Sequence, residues 1–216
     1  MASIGPNELF FLLQGLKWTL ALTIIGFIGG GIFGLCVALA RVADSPAIQR
    51  ASTAYIAIFQ GTPLLMQLFV VYYGVALAGL NVDAWIAVAI AFTLHASAFL
   101  GEIWRGGIQA VPKGQTEAAN ALGLHYVSRM KDVILPQALK ISLPATIGFL
   151  VQLIKGTSLA AIVGFVELSR AGQIVSNQTF RPLTVFALVG IIYLLICWPL
   201  SLWGAGVEKR LQAASR

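Results

Sequence analysis

Charge is what this 216-residue sequence has least of: Asp, Glu, Lys and Arg together make up 10% of it, against about 25% in an ordinary soluble domain. That shortage excludes a cytosolic globule, and with it a disordered tail or a nucleic-acid-binding arm, which need dense charge or clustered basic surface. Cysteine is limited to Cys36 and Cys197, both inside apolar runs, so a disulfide scaffold is excluded and packing thiols are expected. The two histidines, His95 and His125, form no cluster for a metal; His95, near Ser97 in the middle of an apolar run, is expected as a packing residue. No Gly is followed by Lys, which excludes a Walker-type phosphate loop and hence ATP hydrolysis by this chain. Asp83, Glu102 and Glu167 sit only at the edges of apolar runs. A membrane-embedded enzyme lacks its acid-base constellation here, and an ion-coupled secondary transporter or channel, the alternative function, lacks a coupling carboxylate.

What is present is apolar: 58% hydrophobic residues and a mean hydropathy of +0.87. Lipid is therefore the solvent, and at about 20 residues per crossing the length allows five or six helices with no room for a soluble catalytic domain. Uncharged runs place spans near 18–40, 51–80, 84–101, 141–166 and 182–207, predicting a single all-α, multi-pass membrane domain over 1–216 with about five transmembrane helices. The second uncharged run, 51–82, is too long for one straight crossing, so Gly61-Thr62-Pro63 is expected to bend or interrupt it. Residues 9–17 are too short an apolar patch to cross and are expected along the interface. Lys17 alone precedes the first span, which is too long for a signal-peptide core and ends without a small-residue cleavage site, so it is expected to stay in the membrane.

The excess of 14 Lys and Arg over 8 Asp and Glu reads as an orientation signal. With the N-terminus outside and the C-terminus inside, segments 41–50, 102–140 and 208–216 carry ten positives on the cytoplasmic face, while Lys17, Arg170 and Arg181 remain outside, as the positive-inside bias requires. This leaves one long polar connection, 102–140, facing the cytoplasm. It holds Glu117-Ala118-Ala119, Gly123 and, nine residues later, Val133-Ile134-Leu135-Pro136. Gln115 to Leu122 is expected as a short helix capped by left-handed Gly123 with Leu124 folding back. A second helix, about Ser128 to Leu135, is expected to end before Pro136. Such a knob, with small Ala118 and Ala119 for close approach and Glu117 and Arg129 for charge, suits a soluble partner.

That spacing resembles the glutamate-alanine-alanine loop of membrane subunits of bacterial binding-protein-dependent ABC importers, with Val133 where the family has isoleucine. Gly61-Thr62-Pro63-Leu64-Leu65 with Gln67, Glu102-Ile103 with Arg105 to Gln109, Gly114-Gln115, and Lys155 with Thr157-Ser158-Leu159 are similar to the polar amino-acid branch, so the likeness runs from Leu16 to Glu208. Gln60 stands where relatives often carry arginine, and Gly156 where they often carry aspartate. The resemblance implies a type I importer permease of the bacterial inner membrane, with Glu117, Ala118, Ala119, Gly123, Leu135 and Pro136 coupling it to a dimer of ATP-binding subunits. It implies no cofactor in this chain, ATP and Mg being bound by the partner. A second permease, identical or homologous, a periplasmic or extracellular solute-binding protein received near Glu167 to Arg181, a polar amino-acid substrate and membrane lipid are the implied partners, and no nucleic acid.

Ionisable groups inside spans are functional candidates by default, and Lys155 is the clearest. It either faces the translocation cavity, binding a substrate carboxylate or closing a gate, or it snorkels where the helix breaks at Gly156. Gln152, Thr157 and Ser158 beside it, and Gln60, Thr62 and Gln67 from the second span, could hydrogen-bond an amino acid; each taken alone reads first as helix-to-helix glue. Gly26, Gly30 and Gly34 recur every fourth residue of the first span and predict a close helix neighbour, in this chain or in a second subunit.

Overall fold

A computed structural model of the protein describes residues 5–79 and 82–214; Leu80, the expected end of the second span, and Arg216, one of the ten positives, lie outside them. The described chain is helical throughout. Its elements are α1 (Pro6–Arg41), α2 (Pro46–Gly61), α3 (Leu64–Leu77), α4 (Ala84–Ala110), α5 (Lys113–Ala121), α6 (Tyr126–Ser128), α7 (Leu135–Gly156), α8 (Leu168–Thr179) and α9 (Pro182–Ala214). A wide π turn, Arg129–Ile134, joins α6 to α7, and 3-10 turns, Thr157–Val163, prolong α7. Four helices are long and apolar enough to cross a membrane, and five crossings result when α2 and α3 count as one broken span.

α1 starts where Pro6 occupies its first turn and the Glu8 carboxylate accepts the Gly5 N–H at 2.8 Å, a favourable N-terminal arrangement. With no breaker before Arg41 it runs 36 residues, about 54 Å at the helical rise. Residues 9–17 are consequently its opening turns rather than a separate segment, and they have a protein partner: Leu12 is buried in a cluster with Leu168, Ala171 and Val175 of α8. Further along, the glycine stripe finds its neighbour inside the chain. A Cβ at Gly26, Gly30 or Gly34 would approach Phe92, Ala96 or Leu100 to 3.0, 2.3 or 3.1 Å, so α1 lies parallel to α4 at near-backbone contact. Phe92, wholly buried, centres a core with Leu22, Leu68, Phe149 and Leu153.

The second span is broken as its sequence predicts. α2 and α3 meet at 104°, because Pro63 cannot donate to the ladder. The stranded carbonyls are satisfied by one side chain: Gln67 Nε2 donates to Phe59 O at 2.7 Å and to Thr62 O and Oγ1 at 3.0 Å each.

Two boundaries differ from expectation at the polar connection. α4 continues past Gly101 to Ala110, because Arg105 grips Glu102 with two bonds, Nε to Oε2 at 2.8 Å and Nη2 to Oε1 at 2.5 Å, and pairs with Gln109 on the next turn. The second loop helix does not stop before Pro136. Leu135 N–H donates to Met130 O, five residues back, and this wide turn leaves Pro136 in the first turn of α7, where its missing N–H costs nothing. Val111, Met130, Ile134 and Ala138 form a small core beneath the loop against Leu39 of α1 and Val42 just past its end.

α7 runs antiparallel to α4, with Trp104 Nε1 donating to Thr146 Oγ1 at 3.1 Å and Phe149 stacked on Phe99 at 5.4 Å. α9 packs antiparallel to α7, Gly204 meeting Ile147 and Cys197 clustering with Ile154. α1, α4 and α9 therefore point one way and α7 the other.

Candidate functional site

The loop knob at one end of the bundle is set by its glycine. Gly123 has φ +72°, and the N–H groups of Gly123 and Leu124 return to Asn120 O at 2.9 Å and Ala119 O at 3.1 Å. These two bonds are a Schellman ending, which turns the chain sharply after α5. Nothing lies within 4 Å of a Cβ at Gly123, so the residue serves conformation rather than packing. Glu117 and Ala118 are exposed, Ala119 is buried, Leu135 is half-buried and Pro136 exposed. Arg129 is used internally, bonding Asn120 Oδ1 and lying 5.4 Å over the Tyr126 ring, so it braces the turn. Leu122 and Val127 stand 80% and 72% exposed beside it, an apolar surface at a bundle end rather than along its flank.

The second region is a groove of about 500 Å³ where the break in the second span faces α4 and α7. Thr62, His95, Gln152, Lys155 and Ser158 line it, between Leu64, Phe99 and Phe149. The structure thus brings together four of the seven expected pathway residues. Gln67 stands behind them, buried, its Oε1 facing His95 Nδ1 at 2.9 Å. Gln60 is exposed on the last turn of α2 and does not line the groove. Thr157 is wholly buried and its hydroxyl donates to Ile154 O at 2.7 Å within its own turn, so it does not line the groove. Lys155 is exposed and also borders a recess of about 760 Å³ between α7 and α9 and a smaller one beside Tyr193. His95 is the lining residue that sequence reasoning placed in the core; the signal for it was its position opposite the Pro63 break, which requires the fold to be known.

At the other end, Glu167 caps α8 while wholly buried. It accepts from Ser169 N at 2.9 Å, Arg170 N at 2.8 Å, Tyr193 Oη at 3.1 Å and Thr19 Oγ1 at 3.4 Å, and Thr19 Oγ1 accepts from Leu168 N at 3.1 Å. Burial pushes its carboxyl above the usual carboxylate range against these donors. The carboxylate ties α1, α8 and α9 together and is placed for architecture rather than for ion coupling.

A bundle with a glycine-turned knob at one end and a polar groove beside a broken span invites comparison with known transport proteins. Residues 30–213 match the binding-protein-dependent transport system inner membrane component. The chain belongs to that family. The permease is 34% identical to the probable amino-acid ABC transporter permease protein YckA of Bacillus subtilis (strain 168), over 93% of this chain and 88% of that one. It is 34% identical to the arginine transport system permease protein ArtQ of the same organism, over 94% and 93%, and 36% identical to its probable glutamine ABC transporter permease protein GlnM, over 93% of each. Among solved structures, one described as an amino acid ABC transporter with histidines superposes with a TM-score of 0.86 at 33% identity, covering 94% of this chain and 95% of that one. The inward-facing MetNI methionine ABC transporter shares the fold, with a TM-score of 0.77 at 22% identity over 94% and 99%. This permease is therefore a multi-pass membrane subunit of an ABC importer and not an enzyme, ATP hydrolysis belonging to a separate subunit.

Proposed function

We propose that this permease passes a polar amino acid through the groove bordered by Thr62, His95, Gln152, Lys155 and Ser158, driven by ATP-binding subunits that grip the knob around Glu117 and Gly123. The observation that carries this reading is the pairing of an exposed, rigidly capped knob with a polar groove in one bundle. Glu117, Ala118 and the surface around Gly123 receive the motor; Leu135 and Pro136, at the start of α7, pass its displacement to the helix that carries Gln152 and Lys155. Lys155 offers its ammonium to the substrate carboxylate. Alternating access then needs only that nucleotide binding favour one of two arrangements of these helices.

The knob end also gathers Arg41, Arg50, Arg105, Lys113, Arg129, Lys131, Lys140, Lys209 and Arg210, which supports a cytoplasmic knob, with the N-terminus outside and the C-terminus inside a bacterial inner membrane. A second permease, identical or homologous, completes the pathway along the open flank where Lys155 lies, and a solute-binding protein meets the end carrying Glu167 to Arg181. ATP and Mg are held by the ATP-binding partners.

The test is uptake of labelled amino acid into proteoliposomes holding the assembled importer. Transport that requires both ATP and the binding protein, and that Gly123→Val abolishes while membrane insertion and the groove's ligand affinity persist, is expected. Uptake by the isolated chain driven by an ion gradient overturns the reading.

A further inference from the structure

His95 has two ring nitrogens with different fates, and its neighbours decide which is which. The Gln67 amide nitrogen faces Phe59 O, Thr62 O and Thr62 Oγ1; the two carbonyls can only accept, so the amide orientation is forced. Gln67 Oε1 therefore points at His95 Nδ1, 2.9 Å away. A carboxamide oxygen carries no proton, so Nδ1 must donate, and the neutral ring keeps its lone pair on Nε2. Nε2 has no hydrogen-bond partner among the described residues, yet it is not sealed away: Arg41 Nε is the single buried polar side-chain atom among them without a hydrogen bond. Although His95 is only 6% exposed, it lines the groove, and Nε2 opens there. Phe99 at 4.5 Å and Phe149 at 6.3 Å hold the ring plane. The same groove contains one cation, Lys155, and no carboxylate.

We propose that His95 is a specificity-determining residue of this groove, its Nε2 accepting a hydrogen bond from the ammonium of an amino acid whose carboxylate faces Lys155, so that the permease takes zwitterionic or acidic amino acids and rejects cationic ones. This rests on the groove being the substrate pathway. An ammonium needs an acceptor and finds a fixed one on His95; a carboxylate needs a donor and finds Lys155. A guanidinium or second ammonium adds a positive charge beside Lys155 with no anion to meet it. The Pro63 break thus acts on the substrate indirectly: it strands carbonyls, these orient Gln67, and Gln67 sets the histidine tautomer.

The experiment uses the permease with its ATP-binding subunits in nanodiscs, without the binding protein, whose own selectivity would otherwise intervene. Equilibrium binding of labelled L-glutamine, L-glutamate and L-arginine is measured beside thermal unfolding. Glutamine or glutamate is expected to bind at least about tenfold more tightly than arginine, the scale of one charge-assisted hydrogen bond. His95→Asn places its amide N–H where Nδ1 was, so it keeps the Gln67 bond and loses only the groove acceptor; affinity should fall about tenfold with the unfolding temperature unchanged. Lys155→Glu should reverse the preference toward arginine. Equal binding of arginine by the wild type, wild-type affinity in His95→Asn, or no saturable binding of any of the three overturns the inference. If proteoliposomes made from the same purified complex still show binding-protein- and ATP-dependent amino-acid uptake, the inference alone has failed; if uptake is also absent, the transport reading fails with it.

Discussion

Along one side of α4, α1 lies so close that a methyl group at Gly30 would sit 2.3 Å from the Ala96 Cβ; along another, the break in the second span leaves a groove against α4 and α7, lined by Thr62, His95, Gln152 and Lys155. The first contact is made of glycine, alanine and buried apolar side chains, with Leu22, Phe92 and Leu153 filling the space around it. The second is made of amides, hydroxyls and one ammonium around two aromatic rings. Close packing without polar groups gives two helices a single relative position. Polar groups around a vacancy give a surface whose partners can be exchanged. A single helix thereby carries both a frame and the face of the proposed pathway, the working face, and glycine marks the difference: Gly26, Gly30 and Gly34 are filled against, whereas Gly148, on α7 beside the larger recess, has nothing within 4 Å of a Cβ.

Breaking the frame should have the largest effect. Gly30→Leu drives a branched side chain into α4 at the tightest point, and overpacking of this kind costs about 3 kcal/mol or more; the purified chain should lose its cooperative thermal transition in detergent, and normal unfolding would show that α1 and α4 can part. Glu167→Leu should come next. It strands two α8 N–H groups beside a buried site and leaves the Tyr193 hydroxyl with Ser169 alone, at a cost of about 3 kcal/mol, read as a lower unfolding temperature. Glu167→Gln keeps an acceptor and should lose less.

Burial raises the Glu167 carboxyl above its unfolded value. The folded state then holds that proton more tightly, so this group's contribution is full at pH below the unfolded carboxylate range and falls as pH rises through the folded value. Thermal unfolding of wild type against Glu167→Gln across that range should show the wild-type advantage widening on the acid side and shrinking as pH rises.

On the working face the effect should appear in transport, not folding. Lys155→Met should lower the uptake rate about tenfold with the unfolding temperature within error of wild type; uptake unchanged would remove Lys155 from the pathway. Smallest is Gly148→Ala. In the isolated chain it should stabilise α7 by about 0.5–1 kcal/mol through helix propensity, seen as a slightly higher unfolding temperature. In the assembled importer the same methyl should impair pairing where a second permease closes on this flank, measured by the yield of the intact complex.

Much of this was readable from residue types in order. The Pro63 break, the Gly123 turn and the small-residue stripe on α1 are local demands: a missing N–H, a positive φ, a face without Cβ atoms. Boundaries were less readable where side chains beyond the local window decide them. α4 outlasts its apolar run because Arg105 and Glu102 join hands along its surface, and Pro136 sits inside a helix because Leu135 bonds five residues back. In the groove, Thr62, Gln152, Lys155 and Ser158 were legible as polar residues in lipid. His95 was not, because its acceptor faces outward only through a bond to Gln67, 28 residues earlier.

The residue order by itself determined that the chain lives in lipid, where its long apolar segments lie, where one of them breaks and which connection turns on a glycine, because hydropathy and backbone chemistry act over neighbouring residues. Only the tertiary structure decided that the glycine stripe meets α4 rather than another subunit, that Thr157 is buried while Lys155 is open, that Glu167 knots three helices, and that His95 borders the groove with its Nδ1 held by Gln67. Those outcomes depend on which surfaces pair across the chain, and a pairing energy belongs to two helices at once.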